Sequence, residues 1–222
     1  MELQEKKKNR TEQKTDMQNK EKALLTQLDE IAKQDLCLAF SGGVDSSLLL
    51  KLVMDASAKY GTKVYAVTFQ TRLHPPCDLE TATRVAKEVG AVHEVLFVDE
   101  LEQEAIRYNP ENRCYLCKHY LFGKLLEFAR DHGVTQVLDG TNEDDLHVYR
   151  PGRKALREYG VISPLAVCHV TKTEVKALAA KYGVSVAHRP STPCMATRLP
   201  YGAEINYDVL DRRNCAEAVP TA

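Results

Sequence analysis

Residues 36 to 53 read "LCLAFSGGVDSSLLLKLV". An apolar run of strand length stops at Phe40, a short polar stretch follows, and from Val44 onward Leu48, Leu49, Leu52, Val53 and Ala56 recur at helical spacing. The unit predicts strand, tight loop, helix. Unpaired N–H groups of a first helical turn and the helix dipole favour an anion above such a loop. Ser41, Gly42, Gly43, Asp45, Ser46 and Ser47 therefore form a candidate phosphate cradle. A Walker loop would end in Gly-Lys-Ser/Thr, and a dinucleotide fingerprint would carry a third glycine; this loop offers an acid and three hydroxyls instead. The glycines let amides approach an oxyanion, the serines donate hydrogen bonds, and Asp45 can hold Mg²⁺ against pyrophosphate charge. That combination suits cleavage of ATP between its α and β phosphates, whereas the plain structural alternative is a Ser/Gly turn with an N-capping serine.

The chain of 222 residues can bury one substantial core, and 30 basic against 31 acidic residues give no global bias toward nucleic acid or membrane. No apolar run has signal-peptide or membrane-span length, which predicts a cytoplasmic protein. "KVYAVTFQ" and "HEVLFVD" read as strands around the helix "DLETATRVAKEVG", and "CKHYLFGKLLEFARDHG", "QVLDG" and "KTEVKALAAKYG" continue the alternation. The expected fold class is α/β, a doubly wound, mostly parallel sheet. Ligands of such sheets bind beyond the carboxyl ends of the strands, where the glycine loop, "TFQTR" and "DGTNEDD" fall. Residues 1–22 are almost free of apolar side chains and read as a solvated extension. A packed helix follows from Ala23, with Leu24, Leu25, Leu28 and Ile31 at helical spacing.

Seven cysteines in a chain of this kind argue for chemistry or metal rather than disulfides. Cys114 and Cys117 form a C-x-x-C pair in "NRCYLCKHY", and Cys194 lies in the proline-bracketed "RPSTPCMATRLPYG". Structural zinc would want four ligands and a thioredoxin-like site a different topology. Three thiols suit a 4Fe-4S cluster with one open iron, while the bland alternative is a pair of ordinary helix-face thiols. Cys37 reads as a core residue; Cys77, Cys168 and Cys215 have no partner at a telling spacing.

Four segments together carry a family resemblance: SGGVDSS at 41–47, DGTNEDD at 139–145, YRPGRKA at 149–155 and PCMATRLPYG at 193–202. The loop alone resembles the PP-loop, or N-type, ATP pyrophosphatases, of the adenine nucleotide alpha hydrolase-like fold. All four resemble the LarE family within them, from about residue 36 to 205. The resemblance implies an ATP-dependent sulfur transferase that adenylates a carboxylate of a pyridinium-3,5-biscarboxylic acid mononucleotide and makes a thiocarboxylate for the nickel-pincer cofactor of lactate racemase. It implies that Cys194 donates sulfur, and that Cys114 and Cys117 place the chain in the branch whose three cysteines hold a 4Fe-4S cluster, as opposed to the branch that sacrifices the cysteine's own sulfur. Asp139, Gly140, Thr141 and Asn142 would face ATP, although a turn with an Asx cap explains them too. Arg150 could fork onto a phosphate or carboxylate, or be a surface arginine beside a turn, and Arg198 is the better candidate for an anionic substrate near the sulfur. His119 reads as a solvated helix-face residue. The expected division is an extension over 1–22, a PP-loop ATPase domain over 23–205, and a short tail over 206–222 where the family continues into a smaller region. Homo-oligomers are compatible with this reading. Two rivals are a PP-loop enzyme that thiolates tRNA, disfavoured by neutral charge, and a nucleotide-binding remnant without catalysis.

Overall fold

The computed structural model describes residues 2 to 218, with side-chain surroundings described for 14–75 and 77–212. Four strands, β1 (Leu36–Ala39), β2 (Val64–Gln70), β3 (Val92–Phe97) and β4 (Gln136–Leu138), form a parallel sheet in the order β3-β2-β1-β4. The helices are α1 (Glu2–Ile31), α2 (Val44–Ser57), α3 (Pro76–Val89), α4 (Arg113–Asp131), α5 (Gly152–Glu158), α6 (Pro164–Val167), α7 (Lys172–Lys181) and α8 (Tyr207–Ala218).

Strand alternation sorts the core into two layers. Leu36 and Leu38 of β1 with Val64 and Ala66 of β2 point to the side covered by α1, α2, α3 and α7. Cys37 and Val67 point the other way, onto Phe122, Leu125 and Ala129 of α4 and Leu156 of α5. Cys37 is thus the core residue its place in a strand predicts, and burial pushes its thiol up to about 12. A third cluster, with Leu73, Ile106, Leu121, Met195, Ile205 and Leu210, lies beyond the strand ends under the segment that carries Cys194.

The sheet grows from β1 to β2 to β3 and then returns to add β4 on the far side of β1. Loops leaving β1 and β4 at their carboxyl ends diverge there, and a crevice opens between them. The element pattern matches the sequence reading closely, with two corrections. The expected boundary at residue 23 falls inside α1, and its more polar part is not simply solvated. Met17 packs against the core, Lys20 pairs with Glu174 at 3.1 Å, and buried Glu21 takes Lys181 at 2.6 Å and the Tyr182 hydroxyl at 2.5 Å. Helix α4 also begins at Arg113 instead of Cys117, so both cysteines of the pair belong to its first turns. Within the tail, α8 packs Leu210 into the third cluster; residues 219–222 and the Cys215 side chain lie outside what is described. Among the described residues no helix is long and apolar enough to cross a membrane.

Candidate active site

The crevice is a cavity of about 1050 Å³, lined at one end by Ser41, Asp45, Ser46 and Gly140 and at the other by Arg113, Cys114, Cys117 and Cys194. Phe69, Leu79, Leu121 and Phe122 supply apolar wall between them.

At the loop end, Gly42 adopts φ +69°, and a Cβ there would come within 2.8 Å of the Ala82 backbone nitrogen. Its missing side chain therefore serves packing against α3, a role that the phosphate-cradle reading alone did not include. Gly43 is the N-cap of α2, and its N–H donates to Ser41 Oγ at 3.4 Å. The Ser46 hydroxyl lies 3.2 Å from Ser41 Oγ and donates to the Gly43 carbonyl at 3.2 Å, which folds the loop back over the helix start. Of the three hydroxyls expected at the cradle, Ser41 and Ser46 line the cavity; Ser47 is fully buried beneath it, on the core side of α2.

The DGTN segment meets this loop edge to edge. A Cβ on Gly140 would stand 2.9 Å from the Ser46 backbone nitrogen, so only glycine lets the end of β4 lie against the first turn of α2. Asp139 is buried and committed to structure, accepting from Thr141 Oγ1 and Ser163 Oγ, each at 2.5 Å. Asn142, 3% exposed, donates from Nδ2 to Asp45 Oδ1 at 3.0 Å. The other Asp45 oxygen takes the ammonium of Lys172. Lys172 is the first residue of α7, held there by a complete capping box between Thr171 and Glu174 and by its own N–H on Asp144 at 2.9 Å. The sequence reading missed it, for it lies 127 residues from its partner. A local signal for the helix start was the Thr-x-x-Glu cap at Thr171 and Glu174, which places Lys172 at the first position but does not name its partner.

Arg150 is exposed and forks toward Asp145 at 2.9 Å on the cavity rim, while Arg153 donates to the carbonyls of Asp145 and Leu146 at 3.2 and 2.9 Å. Gly152 lets α5 close on α4, since a Cβ would fall 2.8 Å from Lys118 Cγ and 3.2 Å from the Cys114 carbonyl.

The far end is assembled from distant pieces. Asn109 holds φ +42° and is buried, and its Nδ2 donates to the Leu199 and Pro200 carbonyls at 3.1 and 3.0 Å. Ile205 N donates to the Arg107 carbonyl at 2.8 Å, and Met195 N to the Leu73 carbonyl at 2.8 Å. These clamps bring Cys194 to the start of α4. There the Arg113 guanidinium donates from Nη1 to Cys194 Sγ at 3.3 Å and from Nη2 to Cys114 Sγ at 3.4 Å. Burial pushes the Cys117 thiol up to about 12. Burial lowers His74, whose Nδ1 lies 2.8 Å from the Thr71 hydroxyl. The structure thus brings together the three cysteines singled out by spacing, and it gives the arginine beside them to Arg113. Arg198 ends the short 3₁₀ turn Met195–Arg198 and is not on the cavity wall, a departure from its expected place beside the substrate. His119 is half-buried against Tyr159, with Nδ1 3.0 Å from its hydroxyl, and not a solvated residue.

Comparison with known proteins settles the lineage: the model of the PP-loop domain matches residues 13–112. The chain belongs to the PP-loop family. It is 39% identical over 180 residues to an uncharacterised protein of Synechocystis, covering 81% of this chain and 66% of that one. It is 32% identical over 184 residues to the pyridinium-3,5-bisthiocarboxylic acid mononucleotide synthase of Lactiplantibacillus plantarum, covering 83% and 66%. The LarE resemblance carried by the four motifs agrees with that similarity. The chain spans about two thirds of the length of these relatives, 66% in both cases. Among solved structures, the NMN synthetase of Francisella tularensis matches with a TM-score of 0.60 at 14% identity, over 90% of this chain and 88% of that one. That likeness shares the PP-loop fold.

Proposed function

We propose that this PP-loop protein is an ATP-dependent sulfur transferase, acting on a carboxylate of a pyridinium-3,5-biscarboxylic acid mononucleotide in nickel-pincer cofactor biosynthesis. The observation that carries the reading is the single cavity with Asp45 and Ser46 at one end and three cysteine thiols at the other. ATP would place its β and γ phosphates over the amides of α2's first turn, within reach of the Ser41 and Ser46 hydroxyls. The Asp45 carboxylate, oriented by Asn142, fits a hard cation beside that cradle, and Mg²⁺ held there supplies neutralisation of pyrophosphate charge. The substrate carboxylate attacks the α phosphorus and pyrophosphate leaves, giving an acyl adenylate and turning a poor leaving group into AMP. Hydrosulfide supplied at the cysteine end of the cavity then attacks the acyl carbon and loses its proton to solvent, AMP departs with the C–O bonding pair, and the Cys194 side chain keeps its own sulfur. Lys172, whose ammonium meets Asp45 beside the cradle, would be the cation available to phosphate oxygens where that carboxylate holds Mg²⁺.

What supports an iron-sulfur group at the far end is the chemistry of the donors, three thiols and a buried cation on one wall; among the described residues no three ligating side chains are arranged around one metal point. Cys114, Cys117 and Cys194 would hold a 4Fe-4S cluster, which when bound supplies an iron for inorganic sulfide.

The test is anaerobic incubation of purified protein with Mg²⁺, ATP and the biscarboxylate mononucleotide. The expected products are pyrophosphate and a thiocarboxylate, with the mass of Cys194 unchanged after turnover. C194A should still release pyrophosphate yet transfer no sulfur. Absence of pyrophosphate with this substrate would overturn the assignment, and dehydroalanine at position 194 without bound iron would overturn the cluster.

A further inference from the structure

We infer that Arg113 is a positioning residue of the sulfur site, a buried counter-cation that holds anionic sulfur at Cys194 and Cys114. The inference rests on the sulfur-transfer reading and gives one of its residues a duty that neither the motifs nor the relatives assign.

Arg113 is 5% exposed, and arginine is seldom buried so deeply without a carboxylate or phosphate to take its fork. Its two terminal nitrogens reach Cys194 and Cys114 sulfur at 3.3 and 3.4 Å, and its Nε has no hydrogen-bond partner among the described residues. A neutral thiol is a weak acceptor, so two of them repay little of the cost of taking a guanidinium out of water. Among the described residues no carboxylate stands within ion-pair distance of it. Glu100 is the acid that feels its charge, and Glu100 is itself fully buried and forms no ion pair with it among the described residues. A thiolate, a hydrosulfide or a cluster with net negative charge would satisfy the guanidinium where thiols do not.

The placement is also directional. Arg113 is the first residue of α4, and Cys114 is its neighbour, so the helix start fixes one sulfur beside the guanidinium. Cys194 comes from a loop 81 positions away in sequence, clamped by Asn109 and Leu73. One rigid fork therefore sets the mutual position of sulfurs from two separate segments. Lysine, with a point charge on a flexible stem, could balance the charge without fixing that geometry.

The first test uses metal-free protein and an isosteric pair. With Arg113 present, C194D should melt roughly 2 to 4 °C or more above C194N, because only the aspartate gives the guanidinium an anion. R113Q should abolish that gap and R113K should retain most of it. Equal melting of C194D and C194N in the Arg113 background overturns the inference, whether or not R113Q folds. The second test follows anaerobic reconstitution with iron and sulfide. Loss of a cation that hydrogen-bonds ligand sulfur disfavours the reduced, more negative cluster, so R113Q should shift the reduction midpoint to more negative values at unchanged iron content. An unchanged midpoint overturns the inference. Wild-type protein that binds no iron defeats the cluster reading alone, and the melting comparison then judges Arg113 by itself.

Discussion

Glu100 is fully buried, and burial pushes its carboxyl up to about 7, with the Thr71 hydroxyl pulling the other way. The sign of its effect on stability follows from linkage. Between the ordinary value of 4.5 and about 7 the folded protein holds this proton more often than the unfolded chain, so stability falls as pH rises through that window. E100Q removes the burden of ionising a buried acid. Its stability relative to wild type should rise from pH 4.5 toward pH 8 by an amount on the order of 3 kcal/mol, read from urea unfolding at each pH. Burial lowers His74 and His93, which pull the other way as pH rises, but they are common to both proteins and cancel in the difference. A difference that stays flat with pH would refute the account. Lys172 invites a second residue-level test. Its pair with Asp45 is partly exposed, with side-chain exposures of 32% and 21%, so its loss should cost no more than about 1 kcal/mol. K172M should therefore melt close to wild type while pyrophosphate formation falls by roughly 10- to 100-fold, on the scale of a lost charge at a transferring phosphoryl group. A rate within twofold of wild type would return Lys172 to a purely structural role.

At the scale of elements, two glycines separate conformational strain from close packing. Gly42 and Gly90 both lie in the left-handed region, at φ +69° and +72°. An added Cβ on Gly90 meets nothing within 4 Å, whereas on Gly42 it meets the Ala82 backbone nitrogen at 2.8 Å. G90A should cost the left-handed penalty alone, roughly 1 to 2 kcal/mol. G42A should add the overpacking term of roughly 1 to 3 kcal/mol, because α3 must move away from the loop. Urea unfolding of the two variants checks the order, and equal costs would show that α3 yields freely. The strands and most helices were legible because their apolar residues keep a period of 2 or 3.6, as in Leu36–Leu38 or Leu48–Leu49–Leu52. The true extent of α1 was not, since much of its length is polar and its contacts to α7 run through Glu21 and Lys20 ion pairs that carry no periodic signal. The pairing of Gly42 with Ala82 was equally hidden, because a glycine selected for a neighbouring helix looks the same as one selected for an anion.

Across the whole molecule, the site exists because β4 returns to the free side of β1. That single topological step lays Gly140 on Ser46 and Asn142 on Asp45, and the clamps at Asn109 then carry Cys194 to the start of α4. Residue types and local spacing made the loop and the cysteines legible in the sequence. Long-range partners such as Lys172 and Arg113 were not, because nothing local records which charge a fold will bring to a carboxylate or a thiol. Since the loop end draws on β1, α2, β4 and α7 together, a nucleotide bound there should stabilise the molecule as a unit. ATP with Mg²⁺ at 100 times its dissociation constant should add about 2.7 kcal/mol, which for a chain of this size raises the melting temperature by roughly 5 to 11 °C. S46A should reduce that shift at fixed ATP, whereas C194A should leave it intact, because Cys194 lines the opposite end of the cavity. The same measurement separates binding from turnover. A full ATP shift with no pyrophosphate in the presence of the biscarboxylate would make the chain a nucleotide-binding protein without adenylation. No shift at all at millimolar ATP would mean that the cradle built by Ser41, Gly43 and Ser46 does not hold phosphate.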